Sequence, residues 1–547
     1  MAKSVKTSIW EWIGGCLGSE VPLLAAVCAG SALRLYHLYA QILVDDEWHA
    51  VHKLLAGGYV SILTDFGSAD HCIPLTLLYR FLSDWFWLSE FLMRLPVLIF
   101  GISSLLVIPL LLRQFIGRSA SSLLAWLLAI SPLHIYYSRI ARPYGISLLL
   151  AMLAVVAFFK WWSGHDGRWQ LVYLLGAATG PFFSLTVVPA VWAPFAIAAI
   201  EAKASKRARQ RSWSDLARLG VMIALAQAIL LAPALVTGSG SITEKLASGT
   251  VTWQTLSGSL ELILGTINPW LICFMACLIA VGAAVLSVEQ RRFSLYISSV
   301  MVIQVLLVTV AQPAYVNHSI VLARYNLVIL PLLLMWVAVG CFRLARWLPR
   351  PFRVSSGAPV AAVVILLLLL LGPLPEIYFW PNNWANQGVF QYDYDQSRLF
   401  ESHRPEEVPS FYSELARREG GSELVLEAPW YYNWHYFPYY QRLHGQHTVI
   451  GFVGNGFRAG EVPRDFTRFR FVNSIHLDDP EELLNRGVSL VVFHKKLHEE
   501  MPGTFSQQPV DMTRWIAKYS GVFGAPVYDD EFVTVFDLST DREPLLQ

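Results

Sequence analysis

Ser138-Arg139-Ile140-Ala141-Arg142-Pro143-Tyr144-Gly145 separates two long apolar runs, 119–137 and 145–162. A helical bilayer span takes about 20 apolar residues, so each run is long enough to cross or nearly cross a membrane. Two arginines in the short join between them then sit close to lipid, where a charged group is rare and needs a compensating reason. Arg139 and Arg142 are three residues apart, so on a helical turn they share a face. Paired guanidinium groups match a phosphate, which they bind through two parallel hydrogen bonds. The competing reading is snorkelling of the two side chains to lipid head groups.

The pattern continues outward from this join. Candidate spans are 21–40, 91–112, 119–137, 145–162, 169–185, 186–201, 219–237, 269–287, 294–312, 325–342 and 359–378, eleven in all. Pro181 and Pro189 blur the boundary of the fifth and sixth, and the semi-apolar stretch 251–267 reads as a re-entrant element. Extras of that kind carry the count to as many as thirteen. With the N-terminus in the cytoplasm, 18 of the 26 Lys and Arg in residues 1–378 fall on the cytoplasmic side, as the positive-inside rule requires. The eight that do not are Arg34, Lys53, Arg80, Arg94, Arg139, Arg142, Lys245 and Arg324. An odd number of spans places everything after residue 378 outside the cytoplasm. Lys3 and Lys6 are followed at once by Trp10, Glu11 and Trp12, a poor signal peptide, so the first apolar run is expected to stay as an anchor.

Composition supports this division. Of 547 residues, 55% are hydrophobic and 15% charged, against about 25% charged in a soluble domain. That excludes a disordered chain. The formal net charge of +1 leaves no basic excess to neutralise nucleic-acid phosphates. It is also the sum of two opposite parts: residues 1–378 carry a net +10, and residues 379–547 carry −9. A membrane domain over 1–378 and an extracytoplasmic soluble domain over 379–547 follow. In the latter, Glu423–Glu427, Val488–Phe493 and Phe532–Phe536 are β-rich, and 408–419 and 479–486 read as helices. The combination is a small α/β domain. The aromatic stretch Trp430–Tyr440 suits core packing, a membrane-facing rim or a sugar-binding surface. None of the six cysteines lies in 379–547, so no disulfide framework holds this domain. Cys273 and Cys277, four apart in an apolar run, read as packing and not as metal ligands.

The long first loop, 41–90, opens with Asp45-Asp46-Glu47-Trp48-His49. Three adjacent carboxylates at a membrane edge repel one another, which raises some of their pKa values unless a cation is near. A carboxylate so placed is a suitable general base; the plain alternative is an interfacial polar cap. Trp48, Val51, Leu55, Tyr59 and Ile62 recur near helical spacing, which predicts an amphipathic helix lying on the membrane surface. Further along, Asp70-His71-Cys72-Ile73-Pro74-Leu75 offers a histidine that could orient a substrate or ligate a metal, and Ala323-Arg324-Tyr325 places another cation on the wrong side for orientation.

These elements together resemble the GT-C superfamily of polytopic glycosyltransferases that use lipid-phosphate sugars. The nearest branch is that of the protein O-mannosyltransferases and the lipid A aminoarabinose transferase. The residues that carry the likeness are Asp46-Glu47, His71 with Pro74-Leu75, Arg94-Leu95-Pro96, Ser131-Pro132, Tyr137-Ser138, Ala141-Arg142-Pro143-Tyr144 and Arg324-Tyr325. Their order and spacing match over the first third of the chain. Cys72-Ile73 interrupt the family's usual Pro-Pro context, Arg139-Ile140 stand where it has Gln-Glu, and Asp45 adds a carboxylate.

The resemblance implies a fold of about eleven transmembrane helices with a C-terminal α/β domain. It also implies an inverting transfer from a polyprenyl-phosphate sugar to a lipid, glycan or protein hydroxyl. Asp46 is then the catalytic base, with Asp45 as its rival and Glu47 beside it. Arg139, Arg142 and Arg324, with Tyr144 and Tyr325, take the donor phosphate. Asp70 and His71 position the acceptor or a divalent metal, which nothing in the sequence requires. A lipid or glycan transporter or flippase would share the spans, but would place its acids mid-span and has no need of a loop opening on carboxylates.

Overall fold

The computed structural model describes residues 9–39, 41–43, 45–66, 72–86, 88–164, 166–204, 209–245, 249–347, 358–379, 407–418, 423–428, 436–448, 477, 479–485, 487–496 and 512–539. Backbone packing divides the chain into two units, one of residues 1–36 with 94–390 and one of residues 37–93 with 391–547.

In chain order the helices of the first three-quarters are α1 (Ile9–Leu35), α2 (Asp45–Ala56), α3 (Tyr59–Thr64), α4 (Ile73–Trp85), α5 (Glu90–Ile116), α6 (Arg118–Ile130), α7 (Pro132–Tyr137), α8 (Tyr144–Gly164) and α9 (Gly167–Phe183). They continue as α10 (Val188–Ala204), α11 (Arg209–Lys245), α12 (Trp253–Leu264), α13 (Pro269–Glu289), α14 (Arg291–Ala311), α15 (Ser319–Tyr325), α16 (Leu330–Trp347), α17 (Ala358–Leu371) and α18 (Leu374–Phe379). Helix underlies most of each of the eleven expected spans, although the first ends at Leu35. Among the described residues, seven stretches are long and apolar enough to cross a membrane: α5, α8, Leu185–Lys203, Trp213–Thr237, α13, α14 and Leu327–Ala345.

The first unit is built by close helix pairing, with α8 along α9, α13 along α16, and α1 along α6. In lipid, small residues at a crossing let backbones approach and gain dispersion contacts. Gly282 of α13 faces the backbone of Trp336, and Gly340 of α16 faces that of Leu278; a Cβ at either would overlap the opposing carbonyl.

Several details refine or differ from the sequence reading. Span 119–137 is two helices, broken at Ser131-Pro132, because Pro132 has no N–H to give to the carbonyl four residues earlier. Span 359–378 likewise divides between α17 and α18. The fifth and sixth spans part at Ser184, after α9 and before a short 3-10 turn at Leu185–Val187, so Pro181 lies within a helix. Stretch 251–267 forms α12, capped by a reciprocal Thr252–Thr255 box and ended by Gly265 in the left-handed conformation. Cys273 and Cys277 are exposed on α13, not packed inside the unit.

In the second unit the amphipathic helix of the first loop ends early. Gly57-Gly58 separate α2 from α3, and Arg80 of α4 donates to the Leu54 and Gly57 carbonyls at 2.9 and 3.4 Å. The buried stripe of α2 runs through Glu47, Ala50, Val51 and Leu54.

The C-terminal part holds helices α19 (Ser410–Arg417), α20 (Tyr436–His444), α21 (Pro480–Asn485) and α22 (Thr513–Phe523). Its strands are β1 (Leu424–Ala428), β2 (His447–Thr448), β3 (Leu490–His494), β4 (Tyr528–Asp529) and β5 (Val533–Asp537), in the sheet order β2-β1-β3-β5-β4. β1 is parallel to β2 and β3, whereas β5 is antiparallel to β3 and β4. Strand alternation sorts the two faces. Leu424, Leu426, Ala428, Val491 and Phe493 pack with Tyr519 and Phe536 on one. On the other, the buried Glu427 carboxylate accepts from Tyr412 Oη and from His494 Nε2, each at 2.9 Å. Residues 430–435 of the aromatic stretch lie outside the described residues; Tyr439 and Tyr440 are buried.

Candidate functional site

The join at 138–144 is built from a helix that stops and a helix that starts. α7 closes with Ser138 N–H bonded to the carbonyls of His134 and Ile135, and the Arg139 and Ile140 N–H groups close onto Tyr136. α8 begins at Tyr144, directly after Pro143, whose fixed φ suits a helix start. The turn is held tightly against its neighbours. A Cβ at Gly101 of α5 would overlap the Ser138 side chain, and one at Gly145 would overlap the Tyr137 carbonyl.

All three arginines expected to take the phosphate are buried: Arg139, Arg142 and Arg324 are 3%, 6% and 7% exposed. Arg139 Nη1 donates to the Tyr36 carbonyl at 2.7 Å and the Leu33 carbonyl at 3.2 Å. Those carbonyls belong to the C-terminal end of α1, whose dipole favours a cation. Tyr378 of α18 donates to the same Leu33 carbonyl at 2.6 Å, with its ring edge-on to Tyr36.

Arg324 reaches the join from a distant part of the sequence. Its guanidinium lies over the Tyr144 ring at 5.3 Å and the Tyr325 ring at 5.4 Å, within range for a cation–π contact. Tyr144 in turn packs edge-on against Tyr137. The break that presents Arg324 and Tyr325 is held by Gln304 of α14. Its Nε2 donates to the Thr186 and Tyr325 carbonyls, and its Oε1 accepts from Ala190 N–H. The structure therefore brings Arg324, Tyr144 and Tyr325 together, with Tyr144 two residues after Arg142 in the chain.

Two residues here are ones the sequence reading passed over. Arg34 entered only as one of eight cations on the wrong side, and His134 only as part of a span. Arg34 is fully buried at the end of α1. It donates to the Gly30, Ala129 and Leu128 carbonyls at 2.8, 3.2 and 3.1 Å, and to His134 Nδ1 at 2.5 Å. Their signal in the sequence was polarity inside apolar runs, which in a membrane points to function or to a specific partner.

The acidic start of the first loop belongs to the second unit. Asp45, Asp46 and Glu47 form the first turn of α2, where carboxylates are favoured by the helix dipole. Glu47 is fully buried; the side chains of Asp45 and Asp46 lie outside what the structure describes. Asp70 and His71 lie outside the described residues altogether. Among the described residues, no group of three or more His, Cys, Asp or Glu is placed to hold a metal ion.

No family model matches the sequence, and no curated protein matches it. Solved structures of ArnT share its fold. The apo crystal structure of ArnT from Cupriavidus metallidurans superposes with a TM-score of 0.51 at 14% identity, covering 96% of this chain and 99% of that one. The same protein bound to undecaprenyl phosphate gives 0.51 at 12% identity, covering 97% and 99%. The Archaeoglobus fulgidus oligosaccharyltransferase complex with zinc and sulfate gives 0.45 at 12% identity, covering 87% of this chain and 68% of that one. The GT-C fold implied by the sequence is the fold of this protein.

Proposed function

We propose that this protein is an integral-membrane glycosyltransferase that moves a sugar from a polyprenyl-phosphate donor to an acceptor hydroxyl on the extracytoplasmic side. The observation that carries the reading is that Arg139 and Arg142 are buried at the 138–144 join and that Arg324 is buried over Tyr144 of the same join, in a chain of the GT-C fold. Buried cations at a membrane edge suit an anion whose tail stays in lipid. ArnT, which shares the fold, was solved with undecaprenyl phosphate bound.

In this reading the Asp46 carboxylate takes the proton from the acceptor hydroxyl. The oxygen attacks the anomeric carbon opposite the phosphate. The anomeric C–O bond breaks with its electron pair leaving on the phosphate, and the configuration inverts. Arg139, Arg142 and Arg324 stabilise the charge that develops on that phosphate, with Tyr144 and Tyr325 fixing Arg324. Such preorganised stabilisation counts for most where water is excluded.

The test is transfer from a polyprenyl-phosphate sugar by purified Asp46→Asn protein. General-base catalysis contributes about 10²–10⁴-fold, so a loss of that size with a normal melting curve is expected. Wild-type rates in the variant would remove Asp46 as the base. Translocation of an intact donor by the wild-type protein, with no sugar transferred, would favour the transporter reading. A chelator added to the same assay decides whether Asp70 and His71 serve a metal.

A further inference from the structure

Arg34 and His134 connect four helices through neutral acceptors. Among the described residues, every hydrogen-bond partner of Arg34 is uncharged: the Gly30, Leu128 and Ala129 carbonyls and His134 Nδ1. Two of these carbonyls have a clear origin. The Leu128 carbonyl would ordinarily accept from residue 132, which is Pro132 and has no N–H. Ala129 is the next residue in the last turn of the same helix, where carbonyls lose their intrahelical donors. The guanidinium of Arg34, about 95 residues earlier in the chain, fills the break between α6 and α7.

His134 then has a defined state. Its Nδ1 accepts from Arg34, so the ring is neutral with its proton on Nε2, which donates to Ser104 Oγ at 2.9 Å. Ser104 passes the bond on to the Gly101 carbonyl at 2.6 Å. The His134 carbonyl accepts from Ser138 Oγ at 2.6 Å, and Ser138 is followed directly by Arg139. Arg139 returns to α1 through Leu33 and Tyr36. The constraints therefore form a closed ring: α1, Arg34, His134, Ser138, Arg139, α1.

We propose that Arg34 and His134 are positioning residues for the anion site, acting through this ring to fix Arg139 and the 138–144 join. The proposal rests on the reading of that join as a phosphate site. Geometry is what Arg34 supplies. Its planar fork serves four acceptors at once, whereas a lysine at the same position carries the same charge on a single nitrogen and cannot match that fork.

The experiment measures binding of undecaprenyl phosphate to the full-length protein in nanodiscs, with melting temperature recorded for each variant. Arg34→Lys and Arg34→Met are expected to weaken binding by about tenfold each, equivalent to about 1.4 kcal/mol. His134→Leu should do the same. His134→Asn keeps an acceptor near the Nδ1 position and should recover most of that loss. Lowered melting temperatures with wild-type affinity in the folded fraction would make the ring merely structural and overturn the proposal. Full affinity in Arg34→Lys would overturn it too, since charge alone would then suffice. Absence of undecaprenyl phosphate binding by the wild-type protein would instead overturn the phosphate-site reading, and this proposal with it.

Discussion

His444 shows how much a single buried side chain can tie stability to pH. Its Nδ1 accepts from the Gln446 N–H at 3.0 Å, which leaves its proton on a buried Nε2. Burial pushes its pKa down from 6.5 to about 3. The unfolded chain therefore binds a proton between those values that the folded chain does not, so stability rises with pH across that window. It is complete above about 6.5 and declines as pH falls toward 3. At pH 5.5 the loss is about 1.4 kcal/mol from this group. Hydrogen exchange over 436–444, corrected for the intrinsic rate, should be about tenfold less protected at pH 5.5 than at pH 7.5. His444→Gln should remove most of that difference; an unchanged difference would place the pH dependence elsewhere. The polar groups of the membrane unit show a related limit on sequence reading. Arg139, Arg142 and Arg324 stood out because they break the charge rule by position alone. Arg34 broke it as well, but its importance lies in carbonyls about 95 residues away, which no local pattern displays.

At the scale of elements, hydropathy located seven stretches that are long and apolar enough to cross a membrane among the described residues, because each is a long run in which almost every residue is apolar. It did not locate their interruptions. The break at Ser131-Pro132 and the end of α2 at Gly57-Gly58 follow from backbone hydrogen-bond accounting, and the donors that complete it, Arg34 and Arg80, come from other helices. The strands of the C-terminal part were legible from β-branched runs, whereas their order was not, since β1 and β3 are paired across 61 intervening residues of which many carry no strand signal. Helix pairing was equally hidden. The α13–α16 crossing depends on Gly282 and Gly340, two glycines among 36 in the chain. Gly282→Leu would drive a side chain into the Trp336 carbonyl and force the helices apart. Overpacking of that kind costs about 1–3 kcal/mol, so the variant should melt several degrees below wild type, and Gly282→Ala less far. A melting temperature equal to wild type in Gly282→Leu would show that this crossing contributes little to stability.

For the whole molecule, orientation is the property that the charge distribution decides and packing does not. The net charge of +1 conceals +10 over residues 1–378 and −9 over 379–547. Within the first part, the clusters at 203–211, 291–292 and 343–353 all fall on one side of the membrane when the spans alternate. On the positive-inside rule, retention of Lys and Arg on the cytoplasmic side during insertion would set the direction of every span. The few cations expected on the other side include the three proposed to take the donor phosphate, so sidedness and the proposed chemistry are linked: a donor would have to present its phosphate outside. In a cysteine-free background, Lys206→Cys and Ser520→Cys report on the two sides. Membrane-impermeant maleimide applied to intact cells should modify Ser520→Cys and leave Lys206→Cys untouched until the membrane is permeabilised. The reverse pattern would place the 138–144 join on the cytoplasmic face, and the acceptor would then have to be sought among cytoplasmic hydroxyls.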